Sequence, residues 1–421
     1  MSREKIFVSA YACEPGLGSE IGVGWHWVLE MSRRFDLWVL TRESNRHTIE
    51  PWIASHPEYA GIHFLYFDLP KWARFWKKGL RGVRTYYNIW TALTDRIVKR
   101  TMRREDIRVF HHITYGNALW PVSDYGSRQT FIWGPIGGLE TIPEDYSRHY
   151  DRKSRLIESV RRMAVRRAAG SRSLCKRAGR ASLILCKTED TLRLLPAGAR
   201  ENAVLFTDVA AENSVGPSLG TPEVKRVGTG INCVVVGRLD AWRGFDIAIM
   251  ALAEARRSGN DFTLTIVGDG MDRPRLAAIV DSLGVGEQVR FAGKVSGEEY
   301  RRLMEEADIV LNPSLKEGAV TVSFDAMAMG KPLVALDTGG YTRYFKPEYS
   351  VVIPRGKREE TVRRFAGAMV NLADADKRRR MGEEALKASG SFNWEQHGRE
   401  ICETIEKGIA ESREKGIAES R

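Results

Sequence analysis

LNPSLKEGAVTVSFDAMAMGKPLVALDTGG, residues 311–340, is the centre around which the rest of the chain is organised. An apolar run over 307–311 leads into it and reads as a buried strand. Glu317 and Gly318 fall in a turn. Residues 320–329 then carry a helical pattern that Gly330 and Pro332 stop. Residues 333–336 make a second short strand, closed by Gly339 and Gly340. Strand, loop, helix and strand in that order predict a parallel α/β sheet.

The chemistry of this stretch lies in its spacing. Glu317 stands at the carboxyl end of a strand, and Asp325 follows eight residues later in the helix. Between them lie the first amides of that helix, contributed by Gly318, Ala319, Val320 and Thr321. Such amides lack intrahelical partners and sit at the positive end of the helix dipole, so they bind anions. Carboxylates accept hydrogen bonds from sugar hydroxyls. One helix start can therefore hold a phosphate while its flanking acids hold sugars on either side, which is the layout of a nucleotide-sugar. The plainer reading makes Glu317 a helix cap and Asp325 a solvated helical acid.

Upstream, 232–236 reads as a strand ending in Gly237-Arg238-Leu239-Asp240, with Arg243-Gly244 beyond it. Two guanidinium groups at a strand end can grip a diphosphate through charge-assisted hydrogen bonds, unless both are ordinary surface residues. Residues 262–267 form the next strand, turned by Gly268. Another follows over 289–295, with Lys294 and Val295 at its far end. The first half opens the same way. A strand over 6–12 runs into a glycine-rich turn containing Gly16, Gly18, Ser19 and Glu20, and a helix over 21–33 carries Trp25, Val28 and Leu29 on one face. That turn is a ligand position in a doubly wound domain, although glycines also serve packing. Further strands are predicted over 37–41, 63–67, 109–114 and 181–186. His111 and His112 close the third of these, where a histidine beyond a strand end can orient a sugar or simply be packed. FIWGPIGG, residues 131–138, supplies a turn with Gly137 and Gly138.

A chain of 421 residues is long for one domain and suits two. The polar stretch near 212–222 is the predicted linker. Five scattered cysteines have no metal-site spacing, and their odd number argues against a disulfide framework. A reduced cytoplasm fits best, since no secretory pattern and no run of 18 apolar residues is visible. The formal charge of +11 is concentrated. Residues 71–108 carry 12 Lys/Arg against 3 acids and residues 148–180 carry 12 against 2, so the remainder is net negative. Such one-sided fields attract anionic surfaces. In the first segment Trp72, Phe75, Trp76, Leu80, Tyr86, Tyr87, Trp90 and Leu93 interleave with the bases. That suits a membrane interface or the buried side of ordinary helices. In the second, Leu156, Ile157, Val160 and Met163 share one helical face, which is either membrane-facing or part of a solvated helix. No nucleic-acid-binding motif accompanies either segment. The chain ends in a tandem octamer, EKGIAESR at 406–413 and 414–421, whose glycines predict a frayed helix.

These phrases together resemble the retaining glycosyltransferases of family 4. The resemblance is carried by the E-G and Asp325 pair with A-M-A-x-G-x-P-x-V and G-G, and by V-G-R-L-x-x-x-R-G at 236–244. Y-A-C-E-P-G-x-G-S-E at 11–20, H-H-I-T-Y-G and G-P-I-G-G support it in order. Two departures stand out: Asp325 occupies a place where Glu is usual, and Arg243 one where Lys is usual. The resemblance implies an α/β fold of the GT-B kind, two Rossmann-like domains facing a cleft. Its boundaries would be 1–210 for the acceptor domain, 211–393 for the donor domain, and 394–421 for a tail packing back on the first.

The resemblance further implies a retaining, metal-independent hexosyltransferase that moves a sugar from a nucleotide-sugar, UDP- or GDP-linked, to a hydroxyl of a glycan or lipid-linked acceptor. No separate cofactor and no metal are expected. Arg238 and Arg243 would neutralise the leaving diphosphate, aided by the amides at 318–321. Glu317 would hold the donor sugar, Asp325 the ribose, and Gly18 would close over the diphosphate. Gly16, Ser19, Gly237, Gly268, Lys294 and Val295 would line the donor. His111 would position the donor sugar, with His112, Glu20, Gly137 and Gly138 on the acceptor side. A cytoplasmic enzyme on the inner face of the plasma membrane is the expected setting. A sugar-nucleotide epimerase of the same fold and a non-catalytic membrane-surface protein are the rival readings.

Overall fold

Strands buried on both faces of a sheet read as unbroken apolar runs, and the central strands here are built that way. In a computed structural model of the chain, which describes residues 3–74, 76, 82–126, 129–211, 230–316 and 320–418, they assemble into two parallel sheets. The first comprises β1 (Lys5–Ser9), β2 (Asp36–Thr41), β3 (His63–Tyr66), β4 (Val109–His112), β5 (Thr130–Ile136), β6 (Leu183–Cys186) and β7 (Ala203–Leu205). Its order is β3-β2-β1-β4-β5-β6-β7. The second comprises β8 (Ile231–Val236), β9 (Phe262–Val267), β10 (Val289–Gly293), β11 (Ile309–Asn312), β12 (Leu333–Leu336) and β13 (Ser350–Ile353), in the order β10-β9-β8-β11-β12-β13. Both follow the doubly wound order, in which the strand sequence reverses beside the first strand of each sheet. Ligands of such sheets bind outside the carboxyl ends at that reversal, here between β1 and β4 and between β8 and β11.

The chain divides into two units. The first holds Met1–Leu139, Arg166–Asp208 and Trp394–Arg421, and the second holds Glu140–Val165 and Val209–Asn393. The stretch 140–165 therefore belongs with the second sheet, whereas the sequence reading puts it with the first. Its apolar residues give the reason. Ile142, Tyr146 and Tyr150 are buried in the same core as Cys233, Phe245 and Phe365. Tyr146 donates to the Gly356 carbonyl at 2.8 Å, and the Asp145 carboxylate accepts the Arg358 amide at 2.6 Å. Beneath them Asp246, 1% exposed, accepts from Arg358 at 2.8 Å and from Arg275 at 3.3 Å.

Other local expectations shift. The run over 152–180 is two helices, Arg152–Ala169 and Arg172–Arg180, because the Ser171 hydroxyl caps the second by accepting from the Leu174 amide. Strand β5 continues through Gly134 and Pro135 to Ile136, where a turn is predicted. The C-terminal segment is one helix, Trp394–Ala418, continuous through Gly408 where a break is predicted. Gly408 is required there, since a Cβ would come within 2.8 Å of the Leu183 side chain. Helix Val83–Arg104 buries Tyr86, Tyr87 and Trp90, so these aromatics form its inner side and are not free for a membrane interface. Phe75, Leu80 and the linker over 212–222 lie outside the described residues. Among the described residues no helix is long and apolar enough to cross a membrane.

The buried charge cluster sets a stability test. Burial alone would raise the Asp246 carboxyl, but Arg275 and Arg358 together outweigh it and hold the group below the usual carboxylate range. Asp246→Ala leaves two buried guanidinium groups without this partner and is expected to cost about 3–5 kcal/mol in urea denaturation at pH 7. Because the folded value is depressed, the contribution is intact above about pH 4 and is lost as pH falls through the folded value. Asp246→Asn is expected to show a shallower loss of stability below about pH 4 than the parent.

Candidate active site

In the second unit the reversal point brings two loops together. Strand β8 ends at Gly237, and the loop carrying Arg238 and Arg243 runs on to helix Phe245–Arg256. On the neighbouring strand, β11 ends at Asn312 and runs towards helix Thr321–Ala328. The Leu315 amide donates to the Trp242 carbonyl at 3.0 Å. Gly244, at φ +70°, lies so close to the Pro313 carbonyl that a Cβ would sit 2.2 Å from its oxygen. The arginine loop and the loop running into Glu317 are thus fastened to each other.

Arg238 is exposed and chelates Asp240, whose Oδ2 lies 2.6 Å from its Nε. The Arg243 guanidinium lies 4.5 Å from the Trp242 ring centre and beside Gly237, where a Cβ would come within 3.7 Å of it. Gly268, at φ +127°, has the Gly237 carbonyl packed against it, with room for no side chain. Lys294 is exposed and Val295 half-buried just past β10. Glu317, Gly318 and Ala319 lie outside the described residues. Val320 precedes the helix in extended backbone and caps nothing with its side chain. The Ser323 amide donates to the Val320 carbonyl at 2.9 Å, and the amides of Thr321 and Val322 come before the first such bond of the helix.

Asp325 is 3% exposed, and its Oδ2 accepts the Tyr300 hydroxyl at 2.6 Å. A solvated helical acid it is not. Three residues that the sequence reading does not single out complete the frame. The Asn312 side-chain amide donates to the Ser323 hydroxyl at 3.1 Å and the Tyr341 hydroxyl at 2.6 Å, tying strand end, helix and the next turn together. Asn closing the apolar strand IVLN and followed by Pro is the signal that marks it. Lys316, buried next to Glu317, pairs with Glu158 at 2.7 Å.

In the first unit the turn after β1 and the turn after β4 are likewise stitched. The Ala12 amide donates to the Thr114 hydroxyl at 3.1 Å, and the Tyr115 amide to Glu20 Oε1 at 2.7 Å. Glu20 thereby holds the β4 turn. Gly16 and Gly18 are exposed, with open space where a Cβ would stand. Ser19 opens helix Ser19–Ser32, its side chain outside the described residues. The Gly137 amide donates to the Gly116 carbonyl at 2.8 Å, and Gly138 packs on the Asn117 side chain.

His111 and His112 lie inside β4 rather than beyond its end, and both are buried. His111 Nε2 donates to the Gly134 carbonyl at 2.8 Å, and its ring meets Trp27 edge to face at 5.9 Å. Burial lowers its pKa to about 4, opposed by that hydrogen bond. Burial, then the neighbouring His111 and Arg177, lowers His112 to about 3. Both rings are neutral at pH 7. His112 Nε2 contacts the Tyr87 hydroxyl at 3.3 Å.

Two outcomes follow from these contacts. Gly268→Ala is expected to lose more than about 2 kcal/mol in chemical denaturation, against about 1 kcal/mol for Gly293→Ala, whose left-handed backbone faces open space. Because folded His111 and His112 bind protons only near pH 4 and below, the unfolded chain takes up more protons from about pH 6.5 downward. Stability is therefore expected to fall on acidification across that window, less steeply in His112→Phe, as thermal melts at stepped pH would read.

Residues 223–388 match the family described as Glycosyl transferases group 1. A D-inositol 3-phosphate glycosyltransferase of Nocardia farcinica is 27% identical over 275 residues, covering 63% of this chain and 57% of that one. An alpha-D-kanosaminyltransferase of Streptomyces kanamyceticus is 32% identical over 152 residues, covering 36% and 38%. The chain thus spans less than two thirds of the length of these curated relatives. Among solved structures, a glycosyltransferase from Rickettsia africae aligns at TM-score 0.62 with 11% identity, covering 97% of this chain and 99% of that one. Anabaena HepE, solved with UDP and glucose, aligns at TM-score 0.59 with 18% identity, covering 96% and 100%. The two Rossmann-like parallel sheets have the GT-B fold. The match to the group 1 glycosyl transferases lies over 223–388, the part of the chain that holds the strands of the second sheet.

Proposed function

We propose that this chain is a retaining, metal-independent hexosyltransferase of the family 4 kind. It would transfer a sugar from a UDP- or GDP-linked donor to a hydroxyl of a glycan or lipid-linked acceptor, in polysaccharide or cell-envelope biosynthesis. The observation that carries this reading is the fastening of the Arg243 loop to the loop that runs into Glu317 and the helix start at Thr321. It gathers cationic side chains and the amides that open a helix at neighbouring strand ends, which suits a diphosphate. The relatives named for transfer to inositol phosphate and the HepE structure with UDP and glucose point the same way.

In this reading the second unit takes the donor and the first the acceptor. Arg238 and Arg243, with the amides at 318–321, stabilise the negative charge that grows on the leaving diphosphate. Arg238 must exchange Asp240 for the phosphate, which Asp240 keeps oriented until then. Glu317 holds the donor sugar. Asp325 holds the ribose end together with Tyr300, whose hydroxyl it already accepts. The acceptor oxygen bonds to the anomeric carbon from the leaving-group face. The anomeric carbon–oxygen bond breaks with its electron pair passing to the diphosphate, whose oxygen takes the acceptor proton. His111, buried and neutral, serves as a positioning residue that fixes the Gly134 carbonyl.

A thermal-shift screen of UDP- and GDP-sugars should show one donor raising Tm, because a ligand of the folded state stabilises it. If none does, the donor assignment fails. With that donor, Arg243→Ala is expected to lower kcat about 10²–10³-fold without changing Tm in the absence of ligand. Proton NMR of the product should show the donor's anomeric configuration, and inversion would refute the retaining step.

A further inference from the structure

Helix Arg152–Ala169 presents its apolar side to solvent. Leu156, Ile157, Val160 and Met163 are 65%, 50%, 53% and 56% exposed, and they form one stripe at helical spacing. Exposed stripes of large apolar side chains mark interaction surfaces. The opposite face carries the polar contacts. Glu158 and Val165 are buried there, Arg161 reaches Glu140, and Arg162 reaches Glu144. The helix has seven Lys/Arg and a single acid, and that acid is Glu158, turned inward. Arg152, Lys153, Arg155, Arg166 and Arg167 remain exposed around the stripe. Every exposed charged side chain of this helix is thus cationic, around an apolar centre. Long basic side chains with an apolar stripe between them fit the boundary between anionic headgroups and acyl chains.

The inward face leads to the donor loop. Glu158 Oε1 accepts Lys316 Nζ at 2.7 Å, with the two side chains 8% and 11% exposed. Lys316 also lies 4.8 Å from the Trp242 ring centre, between the two fastened loops. A helix held from outside therefore bears, through one buried ion pair, on the residue that precedes Glu317.

We propose that the outward face of helix Arg152–Ala169 docks on an anionic lipid surface, and that the Glu158–Lys316 pair passes this docking to the loop over 313–316. The first half stands without the assigned activity, while the second rests on the donor reading above.

The test is flotation of the full chain with vesicles of phosphatidylcholine containing phosphatidylglycerol, at low and high salt. The parent is expected to float at low salt and less so at high salt, where exposed charges are screened. The variant Leu156→Gln/Ile157→Gln/Val160→Gln/Met163→Gln, which removes no core contact, should keep the parent Tm and float at least about fivefold less. A parent that stays down at low salt, or a variant that floats equally, overturns the docking. So does a parent dimer in sedimentation that the variant abolishes while flotation is unchanged, since the face would then belong to a second copy. Hydrogen exchange of a peptide over 309–316 tests the coupling without reference to transfer. Vesicles should slow it in the parent but not in Glu158→Gln/Lys316→Met, which removes the pair without stranding either charge and should still float. Equal slowing in both, or none in the parent, overturns the coupling.

Discussion

Everything proposed for the second unit depends on β8 and β11 lying side by side and parallel. That adjacency is a property of the doubly wound order. It sends two loops out of the sheet from the same edge, and the contacts between them are short and backbone-made. The Leu315 amide on the Trp242 carbonyl is indifferent to side chains, and the Gly244 backbone on the Pro313 carbonyl requires the absence of one. They fix the distance between an arginine-bearing turn and a helix start before any ligand arrives. A pre-set arrangement of charge is what an electrostatic catalyst requires, since reorganisation then costs little at the moment of reaction.

Much of this was legible in the sequence, because buried parallel strands leave unbroken apolar runs. Residues 262–267 and 333–336 emerge with the boundaries that their composition indicates. The glycines at 244 and 268 mark turns because no other residue tolerates such backbone proximity, and Gly237 does so through a φ of +151° that other residues rarely adopt. What was not legible is partnership. Nothing in the stretch around Asp325 says that its carboxylate meets Tyr300, twenty-five residues earlier and on another helix. The burial of His111 escaped for a related reason. A histidine inside an apolar strand and one just beyond it differ by one or two residues in register, which periodicity does not resolve. The apolar positions of 152–169 are visible in the sequence, but the direction they face is not, since an amphipathic pattern defines a face without saying what covers it.

The placement of 140–165 shows how apolar burial and hydrogen bonds to backbone groups together fix which sheet a segment joins. Tyr146 and Asp145 bond backbone groups at 356 and 358, and Arg358 in turn meets Asp246 in the core. A buried carboxylate with two guanidinium groups is costly to form and costlier to break in half, so it specifies a partner more than it adds stability. Residue-level hydrophobicity, which assigns segments by apolar content alone, has no access to that selection.

The helix Trp394–Ala418 bears on how the protein is made. It packs within the first unit, where His26 stacks on Trp394 at 4.5 Å, Arg34 bonds Glu403 and Glu406, and Gly408 lies against Leu183. Those partners are synthesised hundreds of residues before it. On a ribosome, the sheet over 231–353 has all its strands available while the first unit still lacks this helix. Domains fold as units during synthesis, and contacts distant in sequence form late. The first unit is thus the one that finishes folding last, with the apolar positions around Trp27 and Leu183 waiting for a cover that is made only after the second sheet.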